Sequence, residues 1–536
     1  MVTVLPRKDT ELGLQAYWVF SSKPPSARAR STVDMRLSGL LAEVPGSILM
    51  GAADASVAFA AYDSRAASPG AIFVAVPGLK ADGHDYLAQA VTNGASAIAV
   101  QADRKAKWRD IVSHAGLPCL VVPDTRVALA QIAAILAGHP ARRLGVIGVT
   151  GTDGKTSLCH LVDHILRFAG QATGLISTPE CRIGDLPLAD TGRFTTPEAP
   201  ELQTMLRDIA DAGCRWAVVE ATSHGLALHR LDACEFDIAA VTCVGADHMD
   251  FHGTPEAYLA AKGRLFEMLG EGAQKGTPKT AVLNADDASF AYLKAVSTVR
   301  TVTYGLTTAD IAASEIHEEG WTTRFQIDAL GNGAEMTMPK PGIFNVYNAL
   351  AAAGVCLAAG LDLSPIAGAI GAWPGAPGRM QFIDEGQPFT VVVDFAHSAD
   401  ALRRVLELLR SRSRGRIIAV FGSIGERERD RRAAMGRVAA EHADFTIVTD
   451  DNPYTEDRDA ILREIAAGLT GAGRLEGHDF AVIPDRREAI AHALGMAVDE
   501  DVVLLAGKGH ERDVHLADSV YDCDDREVAR RCLQDL

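Results

Sequence analysis

The sequence predicts an α/β protein of about three domains, built on parallel sheets. Three observations support this prediction. At 536 residues the chain is too long for one ordinary core. Short apolar strands alternate with helical patterns along most of its length. One strand, RLGVIGV, leads through a glycine-rich turn into the apolar-spaced helix KTSLCHLVDHILRFAG, and this order is the one that a phosphate-binding loop requires.

Composition narrows the class of protein. Hydrophobic residues make up 48% of the chain and aromatic residues 6%, as in a globular α/β protein rather than a fibrous or disordered one. The net charge of −17 argues against a nucleic-acid partner, because phosphate backbones are held by clustered Lys and Arg. The nine cysteines form no Cys-x-x-Cys pair, and no run approaches about 20 apolar residues. We therefore expect a cytoplasmic protein with reduced thiols and no membrane span.

The N-terminal part divides into an extension and a first domain. In residues 1–33 the basic SSKPPSARAR follows the apolar LQAYWVF, the reverse of a secretory signal, so we expect a partly disordered extension. In residues 34–143 the strand AIFVAV, the helix YLAQAVTNG and the strand ASAIAV predict a small α/β domain. Further strands, WAVVEAT and IAAVTCV, place a central parallel sheet in residues 144–377.

A Pro/Gly cluster at 374–378 predicts a linker to the last domain, residues 378–536. There FTVVVDFAH, RIIAVFGS, DFTIVTDD and DVVLLAGKG are four apolar strands separated by helical patterns. This alternation predicts a doubly wound, Rossmann-like sheet. Each strand ends in polar or glycine residues, and the carboxyl ends of strands are where such sheets bind ligands.

The stretch GVTGTDGKTS, residues 148–157, has the residues of a phosphate loop but not its common spacing. Two residues separate Gly151 from Gly154, whereas the common form has four between its glycines. Glycines let backbone N–H groups approach phosphate oxygens, Lys155 can neutralise a terminal phosphate, and Thr156 can ligate Mg²⁺. An ordinary glycine-rich turn is the alternative.

Other polar residues lie at strand ends or in loops and allow two interpretations each. Glu220 ends a strand, and ADHMDFHG (246–253) is either a metal-binding loop or a hydrogen-bonded one. Lys262, among apolar residues of a helix, is ordinarily a lysine that extends to the surface. DDNP (450–453) and GKGHE (507–511) each follow a buried strand.

These motifs, in this order, resemble the Mur ligases, the ATP-dependent amide-forming enzymes of peptidoglycan assembly. The resemblance covers about residues 34–536 and is greatest to the MurE type, which adds the third stem-peptide residue to UDP-N-acetylmuramoyl-L-alanyl-D-glutamate. It implies three domains, a central P-loop ATPase sheet and a C-terminal amino-acid-binding domain. It also implies ATP and Mg²⁺, a UDP-linked dipeptide and a free amino acid as ligands, and a monomer.

The resemblance also assigns residues to sites. The ATP site would contain Gly151, Thr152, Asp153, Gly154, Lys155, Thr156, Ser157, Asn345, Asn348, Arg379 and Asp394. The UDP-linked substrate would contact Ser64, Arg65, Thr195, Thr196, Thr222 and Arg230. The amino acid would contact Arg427, Asp451, Asn452, Tyr454, Gly507 and Glu511. The catalytic residues would be Lys155, Glu220, His248 and Lys262. The metal ligands would be Thr156, Glu220, His248 and a carbamylated Lys262.

The reaction that the resemblance implies has two steps. The acceptor carboxylate attacks the γ-phosphate of ATP, and the amine of the amino acid then attacks the acyl phosphate. Two Mg²⁺ ions and Lys155 would stabilise the charge on the transferred group. Because acyl phosphates hydrolyse, we expect the third domain to close over the second before chemistry.

The sequence departs from the family pattern at four places. Asp153 and Cys243 each replace an asparagine, and Leu228 replaces a glutamine. Tyr454 follows Asp-Asn-Pro where diaminopimelate enzymes carry an arginine that pairs with the distal carboxylate, and a phenol cannot form that bidentate pair. The amino acid could therefore be diaminopimelate, lysine, ornithine or a less usual one.

Two other functions stay open at this stage. One is a MurE-like paralogue that ligates an amino acid to a different carboxylate acceptor in specialised metabolism. The other, of a different class, is a P-loop nucleotide-dependent regulatory protein, which would leave the DNP and GKGHE motifs without a role.

Overall fold

The computed structural model describes residues 35–51, 55–78, 81–188, 195–426 and 429–536. The predicted extension, residues 1–33, lies outside the described residues, as does Arg427. The chain divides into two compact units, Met1–Thr125 and Arg126–Leu536. The domain boundaries at 143 and 377 remain predictions.

The first unit contains an α/β sheet in the strand order β2-β7-β6-β5-β4, in which β4 to β7 are parallel and β2 is antiparallel. The predicted strand, helix and second strand correspond to β5, α2 and β6. The elements are β1 (Met35–Arg36), α1 (Leu37–Glu43), β2 (Ile48–Met50), β3 (Ser56–Val57), β4 (Phe59–Ala61), β5 (Ala71–Val74), α2 (Leu87–Thr92), β6 (Ala97–Gln101), α3 (Lys105–Ala115) and β7 (Cys119–Val122).

The second unit begins in helix α4 (Thr125–Leu136) and contains two large sheets. We call the elements from α4 to α12 the central lobe. Its further elements are β8 (Gly145–Thr150), α5 (Lys155–Phe168), β9 (Thr173–Ile176), β10 (Cys181–Ile183), β11 (Leu186–Pro187), α6 (Ala199–Asp211), β12 (Trp216–Glu220), α7 (Ser223–Ala227), β13 (Ile238–Val241), α8 (Met249–His252), α9 (Pro255–Glu271), β14 (Thr280–Asn284), α10 (Phe290–Val296), β15 (Arg300–Gly305), β16 (Ile311–Glu319), β17 (Thr322–Ala329), β18 (Asn332–Met338), α11 (Ile343–Ala358) and α12 (Leu363–Gly371).

The central sheet has the strand order β11-β10-β9-β12-β8-β13-β14-β15-β16-β17-β18. Strands β9 to β16 in this order run parallel, which confirms the parallel core around the phosphate loop. At its two edges the sheet becomes mixed, because β10, β11, β17 and β18 extend it by antiparallel pairings. The β17–β18 turn uses Leu330 and Gly331 at φ 55° and 84°, as a tight hairpin requires.

Helices cover the parallel core of the central sheet. On one face α5 and α11 pack on Ile147, Val149 and Val218, all fully buried. On the other face α6 and α9 pack on Val146, Val219 and neighbouring strand residues. The phosphate loop therefore emerges from a rigid strand and leads into a buried helix.

The C-terminal lobe comprises the elements from β19 to α17. Its sheet has the order β19-β20-β24-β21-β22-β23, parallel except for the edge strand β19. The elements are β19 (Gln381–Ile383), β20 (Thr390–Asp394), α13 (Ala399–Arg410), β21 (Ile417–Phe421), α14 (Asp430–His442), β22 (Phe445–Val448), α15 (Arg458–Gly471), β23 (Phe480–Val482), α16 (Arg486–Met496), β24 (Val502–Ala506), β25 (Asp513–His515), β26 (Val520–Asp522) and α17 (Asp525–Gln534).

The four strands predicted for this lobe are β20, β21, β22 and β24, so the doubly wound prediction is confirmed. All nine cysteines are free thiols. Within the described ranges, no helix has the length and apolar character needed to cross a membrane.

Candidate active site

The phosphate loop joins β8 to α5 in a conformation that needs glycine at two positions. Gly151 has φ +146°, and a Cβ there would lie 1.8 Å from Thr242 Oγ1. Gly154 has φ +81°. The Thr242 hydroxyl donates to the backbone oxygen of Asp153 at 2.6 Å, so the end of β13 supports the loop.

Lys155, the first residue of α5, bends back over this loop. Its Nζ donates to the backbone oxygen of Thr152 at 2.8 Å. The Thr152 hydroxyl in turn lies 3.0 Å from the Tyr258 hydroxyl on α9. Ser157 is half-buried in the first turn of α5. The amine is thus held above the loop, where a phosphate oxygen can replace the carbonyl as its partner.

Glu220 is a hydrogen-bond centre at the carboxyl end of β12, the strand beside β8. It is 1% exposed, and its carboxylate accepts from Thr156 Oγ1 at 3.0 Å and Ser177 Oγ at 2.5 Å. The backbone N–H of Thr178 also donates to it at 3.1 Å. The structure therefore brings Thr156 and Glu220 together. Sequence reasoning missed Ser177 and Thr178, although they directly follow the neighbouring strand β9.

The threonines predicted to bind the UDP-linked substrate lie near Glu220, through its backbone oxygen or through Thr178. Thr178 Oγ1 lies 3.0 Å from Thr195 Oγ1. Thr196 Oγ1 donates to the backbone oxygen of Glu220 at 2.8 Å and lies 2.9 Å from Thr222 Oγ1. Buried Glu220 therefore contacts both the phosphate loop and the predicted acceptor site.

Arg230 extends the acceptor side of the site. Its Nη1 donates to the backbone oxygen of Thr196 at 3.0 Å, and its Nη2 pairs with Glu198 at 2.7 Å. Leu228, which replaces a glutamine of the family pattern, ends α7 through a backbone bond to His224.

Lys262 lies inside the protein, so its interpretation as a lysine that reaches the surface is wrong. It is 1% exposed on α9, with Nζ 2.6 Å from the backbone oxygen of Gly151 and 4.3 Å from the Tyr258 ring centre. Burial, reinforced by the charge of Lys155, lowers the pKa of Lys262 to about 6. Near neutral pH this lysine is an uncharged amine and hence a nucleophile.

His248 lies at the edge of this group and is half-exposed, with φ 53°. Its ring makes an edge contact with His224 at 4.6 Å. Burial lowers the pKa of His224 to about 4, and His248 and His252 add to this shift. In the described chain, no hydrogen bond joins His248 to Glu220 or Lys262. No group of three or more His, Cys, Asp or Glu residues there is arranged to hold a metal ion.

The residues predicted to contact adenine lie on α11, which packs along α5. Asn345 and Asn348 are buried, and Asn345 Nδ2 donates to the backbone oxygen of Pro341 at 2.7 Å. A Cβ at Gly154 would lie 3.0 Å from Asn348 Oδ1. Helix α11 therefore places an amide side chain directly beside the phosphate loop.

Two further ATP-site predictions lie where the linker enters the C-terminal lobe. Asp394 is buried and accepts from the backbone N–H groups of Met380 and Ala396, both at 2.8 Å. Burial raises its pKa, while Arg379 opposes that shift. The Arg379 guanidinium lies 4.5 Å from the Phe395 ring centre. Both residues are thus held at the junction between the lobes.

The predicted amino-acid residues meet at the carboxyl ends of β22 and β24. Asn452 Nδ2 donates to Glu511 Oε2 at 2.7 Å, and Lys508 Nζ binds the same oxygen at 2.8 Å. Burial raises the pKa of Glu511, and Lys508 opposes the shift. Gly507 has φ +102°, and a Cβ there would lie 3.0 Å from Asp451 Oδ2. The motifs DDNP and GKGHE therefore form one polar site.

Tyr454 has φ 52° and lies beside His515 on β25. Its backbone N–H donates to the His515 carbonyl at 3.0 Å, and the two rings stack with centres 5.6 Å apart. His515 was not predicted from the sequence, because it follows the GKGHE motif in a short strand without a distinctive pattern.

The residues predicted to bind the uridine nucleotide lie in the first unit. Ser64 is buried in a turn, and its hydroxyl donates to Gln89 Oε1 at 2.8 Å. Arg65 Nη2 pairs with Asp63 at 2.5 Å. Burial would raise the pKa of Asp63, but the bonds and charge of Arg65 lower it.

Comparison with known families gives matches along most of the chain. Residues 56–135 match "Mur ligase family, catalytic domain", residues 149–356 match "Mur ligase middle domain", and residues 378–509 match "Mur ligase, glutamate ligase domain". The middle match begins at the phosphate loop, and the last begins at the linker glycine.

Individual relatives match over nearly their whole length. A UDP-N-acetylmuramyl-tripeptide synthetase of Roseiflexus sp. (strain RS-1) is 42% identical, over 94% of this chain and 99% of that protein. A UDP-N-acetylmuramoyl-L-alanyl-D-glutamate--2,6-diaminopimelate ligase of Geobacillus thermodenitrificans (strain NG80-2) is 38% identical, over 94% of this chain and 100% of that protein. A solved structure of a ligase with the latter name has a TM-score of 0.61 and 30% identity, over 90% of this chain and 95% of that chain.

Proposed function

We propose that this chain, which belongs to the Mur ligase family of ATP-dependent ligases, adds the third amino acid to UDP-N-acetylmuramoyl-L-alanyl-D-glutamate in peptidoglycan precursor synthesis. The observation that carries the proposal is the position of Glu220. It binds Thr156 of the phosphate loop through its carboxylate and Thr196 of the predicted acceptor site through its backbone. A phosphoryl donor and a carboxylate acceptor bound to these two groups would be neighbours.

The proposed reaction has two steps between bound substrates, and residues of the chain assist it. The acceptor carboxylate attacks the γ-phosphorus of ATP, giving an acyl phosphate and ADP. The free amine then attacks the acyl carbon, phosphate leaves, and the amine loses a proton. Lys155 would neutralise the transferred phosphoryl oxygens, and Arg230 would orient the acceptor.

The side chains near the loop suit Mg²⁺. A hard cation prefers oxygen, and Thr156 and Glu220 offer a hydroxyl and a carboxylate already joined at 3.0 Å. Lys262 would add carbamate oxygens, because its neutral amine can attack CO₂ with loss of a proton. His248 would complete the set. When bound, Mg²⁺ would neutralise phosphate charge and act as a Lewis acid.

The amino acid would bind where DDNP meets GKGHE. Asp451 and Glu511 offer negative charge to its amine groups, and Arg427 is proposed to hold its carboxylate. Burial would lower the pKa of Lys508, but Asp451 and Glu511 raise it, so this lysine stays charged and balances them. Gly378 approaches Gly509 so closely that a Cβ at 378 would lie 2.2 Å from a backbone carbon. This close approach holds the start of the C-terminal lobe against the GKGHE motif.

We further assign the UDP moiety to residues 34–143, ATP to residues 144–377 and the amino acid to residues 378–536 of a monomer. The nucleotide substrates would place the reaction in the cytoplasm.

Phosphate release across a panel of amino acids tests the proposed function. The enzyme is incubated with ATP, Mg²⁺ and the UDP-linked dipeptide, and the peptide product is identified by mass. We expect one amino acid to support turnover well above the rest. Turnover with none of them would refute the cell-wall acceptor. Activity on another carboxylate would then favour the paralogue.

Tyr454→Arg is expected to raise kcat/KM for diaminopimelate about tenfold or more relative to the unsubstituted enzyme. Arginine can form a bidentate pair with a distal carboxylate, and each 1.4 kcal/mol or so gained is about tenfold. The measurement is kcat/KM for diaminopimelate, lysine and ornithine. Tyr454→Phe is the control, because it keeps the ring stacked on His515 but adds no cation. An unchanged preference in Tyr454→Arg would place specificity elsewhere.

A further inference from the structure

A carboxylate in the phosphate loop has its partner in the other lobe. Asp153 replaces the asparagine of the family pattern, and Arg404 of helix α13 donates from Nη1 to Asp153 Oδ2 at 2.9 Å. The two residues are 251 positions apart in the chain. The contact therefore joins the loop after β8 directly to the C-terminal lobe.

Asp153 is fixed close to the predicted phosphate site. Its backbone oxygen accepts the Thr242 hydroxyl at 2.6 Å, and the next residue, Gly154, begins the turn into α5. A ligand in the loop would therefore be within reach of the Asp153 carboxylate.

A free carboxylate here opposes nucleotide binding. ATP brings several negative charges to the loop, and unit charges a few ångström apart at a surface can change an equilibrium constant several-fold. An arginine on the carboxylate cancels most of that repulsion. Because both side chains are more than half exposed, at 61% for Arg404 and 58% for Asp153, the pair itself contributes little to folding. The pair instead affects the affinity for a charged ligand.

We propose that Arg404 is a positioning residue for ATP, which cancels the charge of Asp153 and so makes nucleotide affinity depend on contact between α13 and the phosphate loop. This inference rests on the proposed ATP-dependent function. Since coupling between two equilibria is reciprocal, bound ATP would also favour the arrangement in which α13 lies against the loop. The Asn-to-Asp change would thus link nucleotide binding to the position of the C-terminal lobe.

The chain offers a matched control in the preceding residue. Arg403 is on the same helix and 41% exposed, and it pairs with Asp400 of that helix at 3.3 Å. Arg403→Ala removes the same charge from α13 without removing the contact with Asp153. A general change in surface charge would affect both variants equally, whereas the proposed pairing affects only Arg404→Ala.

The test is equilibrium binding of a fluorescent, non-hydrolysable ATP analogue to the full chain with Mg²⁺, together with kcat and the KM for ATP. We expect Arg404→Ala to raise the Kd and the KM for ATP roughly five- to tenfold with little change in kcat. Arg403→Ala should leave the Kd unchanged, and Arg404→Lys should recover part of the affinity. The effect should shrink at about 0.5 M salt, where charges are screened.

Asp153→Asn in the Arg404→Ala background gives the decisive comparison. Removing the carboxylate should cancel the defect and bring the Kd to within about twofold of that of Asp153→Asn alone. An unchanged Kd in Arg404→Ala, or a defect that persists in the double variant, would overturn the pairing. Failure of the unsubstituted chain to bind the analogue would instead contradict the proposed function.

Discussion

Lys262→Ala is expected to lower kcat by about 10²- to 10³-fold with small changes in the KM values, because it removes the proposed carbamate, an anionic metal ligand, from beside the transferred phosphoryl group. The surroundings of the lysine support this proposed role. Its amine is buried against the Gly151 carbonyl at 2.6 Å, and burial lowers its pKa to about 6. An amine that is neutral at pH 7 can take up CO₂, whereas an ammonium cannot.

Chemical rescue separates a carbamate from a merely structural lysine. The alanine variant has space for a small carboxylate, so acetate or formate should restore part of the turnover. Lys262→Met fills that space and is the matched control, for which no rescue is expected. Full activity of Lys262→Ala without additive would rule out the carbamate. Equal rescue of both variants would show that the added anion acts elsewhere.

The lowered pKa of Lys262 also gives a pH-dependent stability with a defined sign. In CO₂-free buffer the unfolded chain binds a proton at this lysine up to its ordinary pKa of 10.5, whereas the folded chain releases it near 6. The free energy of unfolding should therefore rise with pH between about 6 and 10.5. Lys262→Met should lose this contribution, which denaturant titrations across that range can measure.

The sequence predicts most of the elements that hold the site. The strands beside the phosphate loop and the four C-terminal strands are short, mostly apolar runs followed by glycine or polar residues, so their positions follow from short-range pattern. Strands β16 to β18 were not predicted, because they contain no continuous apolar run like those of the other strands and carry glutamates at exposed positions.

The environment of individual side chains is harder to predict. Lys262 looks like an ordinary helical lysine until α9 is packed on the central sheet, and only then does its amine lose contact with water. Ser177 and Thr178 become partners of Glu220 because β9 and β12 are neighbours, although 42 positions separate Thr178 from that residue. The Asp153–Arg404 pair requires contact between two lobes. Such contacts join residues that are distant in the chain, so a local sequence pattern cannot predict them.

Glu220→Gln is expected to lower kcat by about 10²- to 10³-fold and to raise the Mg²⁺ concentration needed for half-maximal turnover. The substitution keeps the shape of the side chain but removes its charge and one acceptor oxygen. Oε2 accepts the backbone N–H of Thr178 at 3.1 Å and the Ser177 hydroxyl at 2.5 Å. If the amide nitrogen took the place of Oε2, it would face the backbone N–H of Thr178, which can donate a hydrogen bond but cannot accept one. If the amide instead turns its oxygen there, its nitrogen faces only Thr156, whose hydroxyl can rotate to accept.

The same geometry predicts a smaller effect on folding than on catalysis, and Ser177→Ala is the control that separates the two. Losing one hydrogen bond to a charged group costs about 1.5–3 kcal/mol of stability, so both variants should show a lower Tm. Only Glu220→Gln removes the negative charge that would hold a cation beside the phosphate loop, so Mg²⁺ titrations of turnover should differ sharply between them. If Glu220→Gln at saturating Mg²⁺ turned over as fast as Ser177→Ala, the carboxylate would be a structural support for Thr156 rather than a metal ligand.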